Sequence, residues 1–301
     1  MTDTKRSSKD ALGRGVNVEF GAKIDLDRVT LLRNGDESLF VRGETKGGQR
    51  ARAKATRLLV RDTVARKDGA TGTGISIETG ALFELDIGAV VRARRAGILV
   101  SETLGAAGSQ AEATFLHTIV RDTRAAGDAQ AGKGIAIEGA GVASAGKLTM
   151  RSSSVIGSVE FGIAAANPGG TALIENCFVG GTAVEASGIY GHGIVATGGS
   201  SVIIRATEVR DNQIGMAFNS ATGIVASCLI QHNQVGIHAQ AGSTLATAAM
   251  APEEPSPKVV LVTDDSRFVD NATRIGSGLV PLPSDPLGST PPVAGKPKAG
   301  P

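Results

Sequence analysis

The chain has 301 residues, of which 41% are apolar and 20% charged, with a net charge of +2, no Trp, one Tyr and 3% aromatics. That apolar content suffices for a buried core, and the core it predicts is aliphatic. No apolar run approaches the roughly 18 residues a helix needs to cross a bilayer, and two cysteines are too few for a disulfide framework.

Residues 1–12 are polar and charged, which excludes a signal peptide within them, and they read as a disordered leader. A phrase then begins that recurs through the chain. It reads Gly13-Arg14-Gly15-Val16-Asn17-Val18, Gly72-Thr73-Gly74-Ile75-Ser76-Ile77, Gly132-Lys133-Gly134-Ile135-Ala136-Ile137 and Gly191-His192-Gly193-Ile194-Val195-Ala196. Lesser copies follow Gly97, Gly162, Gly215 and Gly236, so the unit is about 21–30 residues. Within each unit, apolar residues alternate with polar ones in runs of three to five, broken by turns. Ala22, Ile24 and Leu26 alternate with Lys23 and Asp25, and Ala81, Phe83 and Leu85 repeat the pattern. Such a unit cannot bury its apolar side alone, whereas stacked copies can. Leucine-rich repeats and calcium-binding nonapeptide rolls are excluded because their frames are absent.

Residues 1–100 hold 19 Lys and Arg against 13 Asp and Glu, and the remainder holds 12 against 16. The basic run includes Arg42, Lys46, Arg50, Arg52, Lys54 and Arg57, with Lys46 to Lys54 predicted as a loop. It suits a polyanion, but a solvated face is the preferred reading. Nucleic acid is disfavoured because no aromatic residues are interleaved to stack bases. Cys177 and Cys228 fall in one column two coils apart, about 9–10 Å at sheet spacing. That is beyond the roughly 7 Å a disulfide allows, so both are predicted to be core thiols.

In the late coils, Asn212, Asn233 and Asn271 take one place in successive turns, with Thr63, Thr123, Ser158 and Thr182 at the matching place earlier. Asn tolerates a left-handed bend, and stacked amides bond along the rod. Asp211, His232 and Asp270 precede these asparagines and share a column, with Asp211 and His232 expected about 5 Å apart. They could do acid–base work or hold a metal; a surface ion pair is the preferred reading. No metal set, and no cofactor, is expected. Residues 250–258 read as a loop, and residues 281–301, rich in Pro and Gly, as a disordered tail.

The Gly-Ile/Val phrase and the Asn-x-x-Gly spacing resemble right-handed parallel β-helix repeat proteins of the pectin-lyase-like superfamily. The resemblance covers roughly residues 13–280 and implies an all-β solenoid of about nine coils. It also implies a secreted or surface location, and activities that range from polysaccharide lyases and hydrolases to proteins with no activity. A helix that plugs the N-terminal end is expected of such rods. The sequence offers none, so the chain reads as a truncated gene product or one piece of a longer protein. Tyr190-Gly191-His192-Gly193 resembles the Gly-His-Gly of polygalacturonases, which would make His192 an assistant to catalytic carboxylates. The paired aspartates that should precede it are missing, and Arg14, Thr73 and Lys133 take its place in other copies. That variation predicts a solvent-facing turn. The leading functional expectation is a non-enzymatic scaffold at the cell surface or outside the cell, binding glycan or protein. A polysaccharide lyase or glycoside hydrolase is the alternative, and polyanion binding through residues 42–67 the second.

Overall fold

The computed structural model describes residues 13–65, 71–102, 110–125, 132–139, 145–184, 188, 190–249 and 258–277. The predicted leader 1–12, the tail 281–301 and most of the loop 250–258 lie outside the described residues. The first four turns of chain are β1 (Val16–Glu19), β2 (Lys23–Asp27) and β3 (Thr30–Leu32), then β4 (Leu39–Arg42) with β5 (Arg52–Arg61), β6 (Ile75–Glu78) with β7 (Leu82–Val91), and β8 (Ala96–Glu102) with β9 (Glu112–Arg121). Four turns of three strands follow: β10 (Lys133–Gly139), β11 (Lys147–Arg151), β12 (Ser154–Ile156); β13 (Phe161–Ala165), β14 (Thr171–Glu175), β15 (Phe178–Gly180); β16 (His192–Thr197), β17 (Ser201–Arg205), β18 (Glu208–Arg210); and β19 (Ile214–Asn219), β20 (Thr222–Ala226), β21 (Leu229–Gln231). The last stretch is β22 (Val235–Gln240), β23 (Thr244–Ala248), β24 (Val259–Thr263), β25 (Arg267–Val269) and β26 (Thr273–Ser277).

Every strand pairing is parallel. The first strand of each turn joins a ten-stranded sheet, β1-β4-β6-β8-β10-β13-β16-β19-β22-β26. The remaining sixteen strands form a second sheet, bent along a corner into two limbs. Among the described residues there is no helix, and the chain is a parallel β-helix.

Alternation decides which side chains face inward. Val18, Val41, Ile77, Val100 and Ile137 stack in one inward column, and Leu39, Ile75, Ile98, Ile135, Ile163, Ile194, Met216 and Ile237 in the next. Each such burial stabilises by about 1.5–3 kcal/mol. The core is not wholly aliphatic: Phe83 and Phe115, one rung apart, pack with ring centroids at 5.6 Å. The second glycine of each phrase is explained by the rung above it. A Cβ on Gly74, Gly193 or Gly215 would lie 2.6 Å from the carbonyl oxygen of Gly97, Gly215 or Gly236 respectively.

The two corners that bound the second limb turn through left-handed residues. One is lined by Arg28, Arg57, Ile87, His117, Ser152, Asn176, Ala206 and Ser227. The other is lined by Arg33, Asp62, Arg92, Asp122, Gly157, Gly181, Asp211, His232 and Asp270. Just inside each corner runs a polar ladder, because the bend breaks the sheet bonds there and buried N–H groups need partners. At the first corner Thr118 N–H donates to Ser153 Oγ (2.9 Å), Cys177 N–H to Thr207 Oγ1 (3.3 Å) and Cys228 N–H to Ser266 Oγ (3.3 Å). The cysteines thus share a column with Thr207 between them, as the spacing predicts; both are free and buried. Burial pushes both thiols up, Cys228 to about 11.

At the second corner the asparagines do the same work. Asn212 N–H and Nδ2 donate to Asn233 Oδ1 at 3.1 and 3.0 Å, and Asn233 N–H and Nδ2 to Asn271 Oδ1 at 3.0 Å each. Thr182 N–H donates to Asn212 Oδ1 (3.1 Å), and there the ladder ends, since the buried hydroxyls of Thr182, Ser158 and Thr123 at the matching places make no hydrogen bond.

Candidate functional site

The outward face of the ten-stranded sheet differs from the other faces because most of its side chains are also buried. Its middle column runs Asn17, Phe40, Ser76, Leu99, Ala136, Ala164, Val195, Ala217, His238. On one side of it stand the middle residues of the glycine phrase, among them Thr73, Lys133 and His192. On the other stand Glu19, Arg42, Glu78, Ser101 and Glu138.

The chemistry changes along this face. At the first rungs the Arg14 guanidinium lies over the Phe40 ring, 3.5 Å from its centroid, with Nε 3.0 Å from Glu37 Oε2. Asp36 is buried beside them, and Ser76 Oγ donates to Glu78 Oε1 at 2.9 Å. Glu37 is only 6% exposed. Burial and the Glu78 charge push its carboxyl up to about 8, against the pull of Arg14. A carboxyl whose pKa is raised on folding keeps a proton that the unfolded chain has already lost. Stability therefore falls as pH rises from about 4.5 to about 8, and levels off above that. Glu37→Gln is expected to flatten that decline and to raise the urea midpoint at pH 8 relative to wild type, while changing little near pH 4.

At the fifth rung Lys133 Nζ meets Glu138 Oε1 at 2.9 Å along the outside of β10, with both side chains buried. The small Ala136 between them leaves room for the two chains to lie down. In the next rungs the face turns apolar, with Phe161, Ala164, Val195, Ile214 and Ala217 forming a cluster outside the core proper. His192 sits within it, 1% exposed, its ring 5.8 Å from Phe161 and edge-on to Tyr190 at 6.3 Å. The expectation that His192 lies on a solvent-facing turn is corrected: it is on strand β16 and buried. Its position varies between copies because each rung has different neighbours on this face, not because water bathes it.

Asp211, His232 and Asp270 do share a column, at the left-handed corner. His232 Nδ1 is 4.0 Å from Asp211 Oδ1 and His232 Nε2 is 3.5 Å from Asp270 Oδ2, with all three half-exposed or more. Arg210 pairs with Asp211 (3.3 Å), Arg61 with Asp62 (2.9 Å) and Arg121 with Asp122 (3.6 Å). The corner does not bring His192 into this group. Among the described residues no set of His, Cys, Asp and Glu is arranged to hold a metal.

The basic run is broken up by the register. Arg42 stands 3.9 Å from Glu78, Arg50 2.8 Å from Glu112, Arg52 2.7 Å from Glu84 and Arg57 2.6 Å from Asp27. The Arg57 and Arg28 hydrogen bonds hold the Asp27 carboxyl below its ordinary range. Arg52 and Lys54 lie on strand β5 and not in a loop. Lys46 and Lys54 remain exposed.

No helix among the described residues is long and apolar enough to cross a membrane. No protein family and no curated protein matches the sequence. Among solved structures, a pectate lyase, Pel9A, superposes on 85% of this chain and 70% of its own with a TM-score of 0.46 and 13% identity. At that score and identity the likeness adds nothing to the strand pairing described above.

Proposed function

We propose that the protein is a non-enzymatic β-helix scaffold, working at the cell surface or outside the cell, that presents a flank to a glycan or protein partner. The observation that carries this reading is the separation of the groups a catalyst would need together. His192 is enclosed among Phe161 and Tyr190 on the ten-stranded sheet, while Asp211, His232 and Asp270 stand one per rung on an exposed corner. Acid–base hydrolysis asks for two carboxyls converging on one bond, with water controlled around them. The outward charges of the other faces are largely tied to partners a rung away, which suits a rigid surface better than a reacting one.

A polysaccharide lyase or hydrolase is the second reading. It is favoured by one feature: Asp211 and Asp270 are two rungs apart, about 10 Å at sheet spacing, with His232 between them. The purified chain is to be incubated with a panel of uronate polysaccharides, with and without calcium, and assayed for unsaturated products and new reducing ends. No turnover is expected, with retention on a glycan or protein array carrying the function. Turnover that Asp211→Ala or His192→Ala abolishes would replace the scaffold reading with the enzymatic one. Polyanion binding rests on Lys46 and Lys54 after the pairings above. Heparin retention that survives high salt would exclude it, since such contacts are screened.

A further inference from the structure

The ninth turn departs from the order kept before it. In the preceding turns the strand that leaves the ten-stranded sheet pairs at once with its counterpart one turn earlier: β14 on β11, β17 on β14, β20 on β17. β23 does not, but the residue before it reaches the residue before β20 through its side chain. Ser243 Oγ accepts from Ala221 N–H and donates to Ala221 O, both at 2.9 Å. From the next residue onward β24 intervenes. Thr244 pairs with Val259, and Gly223 with Val260, so that β24 lies between β20 and β23.

We propose that the edge of β20 is a slot for which two strands of this chain compete, with β24 resident and β23 the alternative occupant. Continuing the Ala221–Ser243 contact in register sets Thr222 against Thr244, Gly223 against Leu245 and Val225 against Thr247. In the resident state Val260 and Val262 face the core and are buried. β23 would supply Leu245 and Thr247 at those places. The hydroxyl makes β23 the poorer fit, which explains why β24 is resident. β25 keeps its own register on β21, and the exchange costs only the Thr263 hydroxyl bonds to Ser227 N–H and Val225 O, since Ala248 would take the place of Thr263. When β23 takes the slot, Val259–Thr263, with four aliphatic residues in five, is released to pair with another sheet edge.

Disulfide trapping in the full chain distinguishes the two occupants. Neighbouring strands lie about 4.8 Å apart, and strands separated by a third about 9.6 Å, against a limit of about 7 Å between the Cα atoms of a disulfide. The pair Thr222→Cys with Val259→Cys reads the resident register, and Thr222→Cys with Thr244→Cys reads the alternative. Both are expected to close within one chain under mild oxidation, the second more slowly. Adding Val260→Thr and Val262→Thr, which weaken β24 alone, is expected to speed the second closure by about ten-fold. If the weakening substitutions unfold the chain, the unweakened pair still reads the alternative state. The proposal is overturned if the Thr244 pair never closes while the Val259 pair does, or if it closes only between chains.

Discussion

Gly193→Ala is expected to lower stability by about 3 kcal/mol or more, read as a fall in the urea midpoint. The added methyl would lie 2.6 Å from the Gly215 carbonyl oxygen and 3.0 Å from Val209 Cγ1. A flexible side chain could swing away from such a clash, but the carbonyl belongs to the backbone of the next rung. Moving it spreads the sheet between β16 and β19, where Ile194 meets Met216 and Ala196 meets Phe218 in the core. Gly47→Ala serves as the control, since its added carbon would find nothing nearer than Thr45 Oγ1 at 3.8 Å. That variant is expected to stay within roughly 0.5 kcal/mol of wild type.

Asn233→Ala is expected to cost about 3 kcal/mol, because it strips partners from several buried groups at once. Asn233 Oδ1 accepts from the Asn212 N–H, and its Nδ2 donates to Val209 O at 3.1 Å and Gln231 O at 2.9 Å. Alanine leaves the Asn212 N–H and the Val209 carbonyl inside the rod, where water cannot replace the amide. Asn233→Asp keeps the acceptor but turns a second oxygen toward those two carbonyls, so it is expected to be no better than alanine at neutral pH. An Asp variant as stable as wild type in thermal melts would show that the ladder is not what closes the corner.

The rod could be foreseen because its strongest constraints recur at a fixed interval. Only glycine fits under the next rung, and in the late rungs the asparagine amide, which both donates and accepts, satisfies the inside of the corner. Gly74, Gly134, Gly193 and the Asn212–Asn233–Asn271 series therefore stand out in one reading of the chain. What could not be foreseen depends on neighbours far away in sequence. Arg57 and Asp27 are 30 residues apart, Arg52 and Glu84 are 32, and Arg50 and Glu112 are 62. A run that looks cationic along the chain is thus interleaved with acids along the rod axis. His192 is hard to place from the sequence for a related reason. Variation among Arg14, Thr73, Lys133 and His192 suggests exposure when the copies are compared, yet the face they share is largely covered. The order of β23 and β24 is not legible either: the alternation weakens after Thr244, and Val259–Val262 is a continuous aliphatic run that does not say which neighbour it pairs with.

The axial direction of the strand pairing also sets how the molecule bears load. The backbone hydrogen bonds between strands point along the rod, as do the asparagine ladder and the His232–Asp270 pair. Tension between the two ends therefore peels one turn after another, each yielding at a modest force, as in other stacked repeats. A pull across the rod must instead slide whole strands past their neighbours and shear many bonds together. A rod of this kind is compliant lengthwise and stiff crosswise.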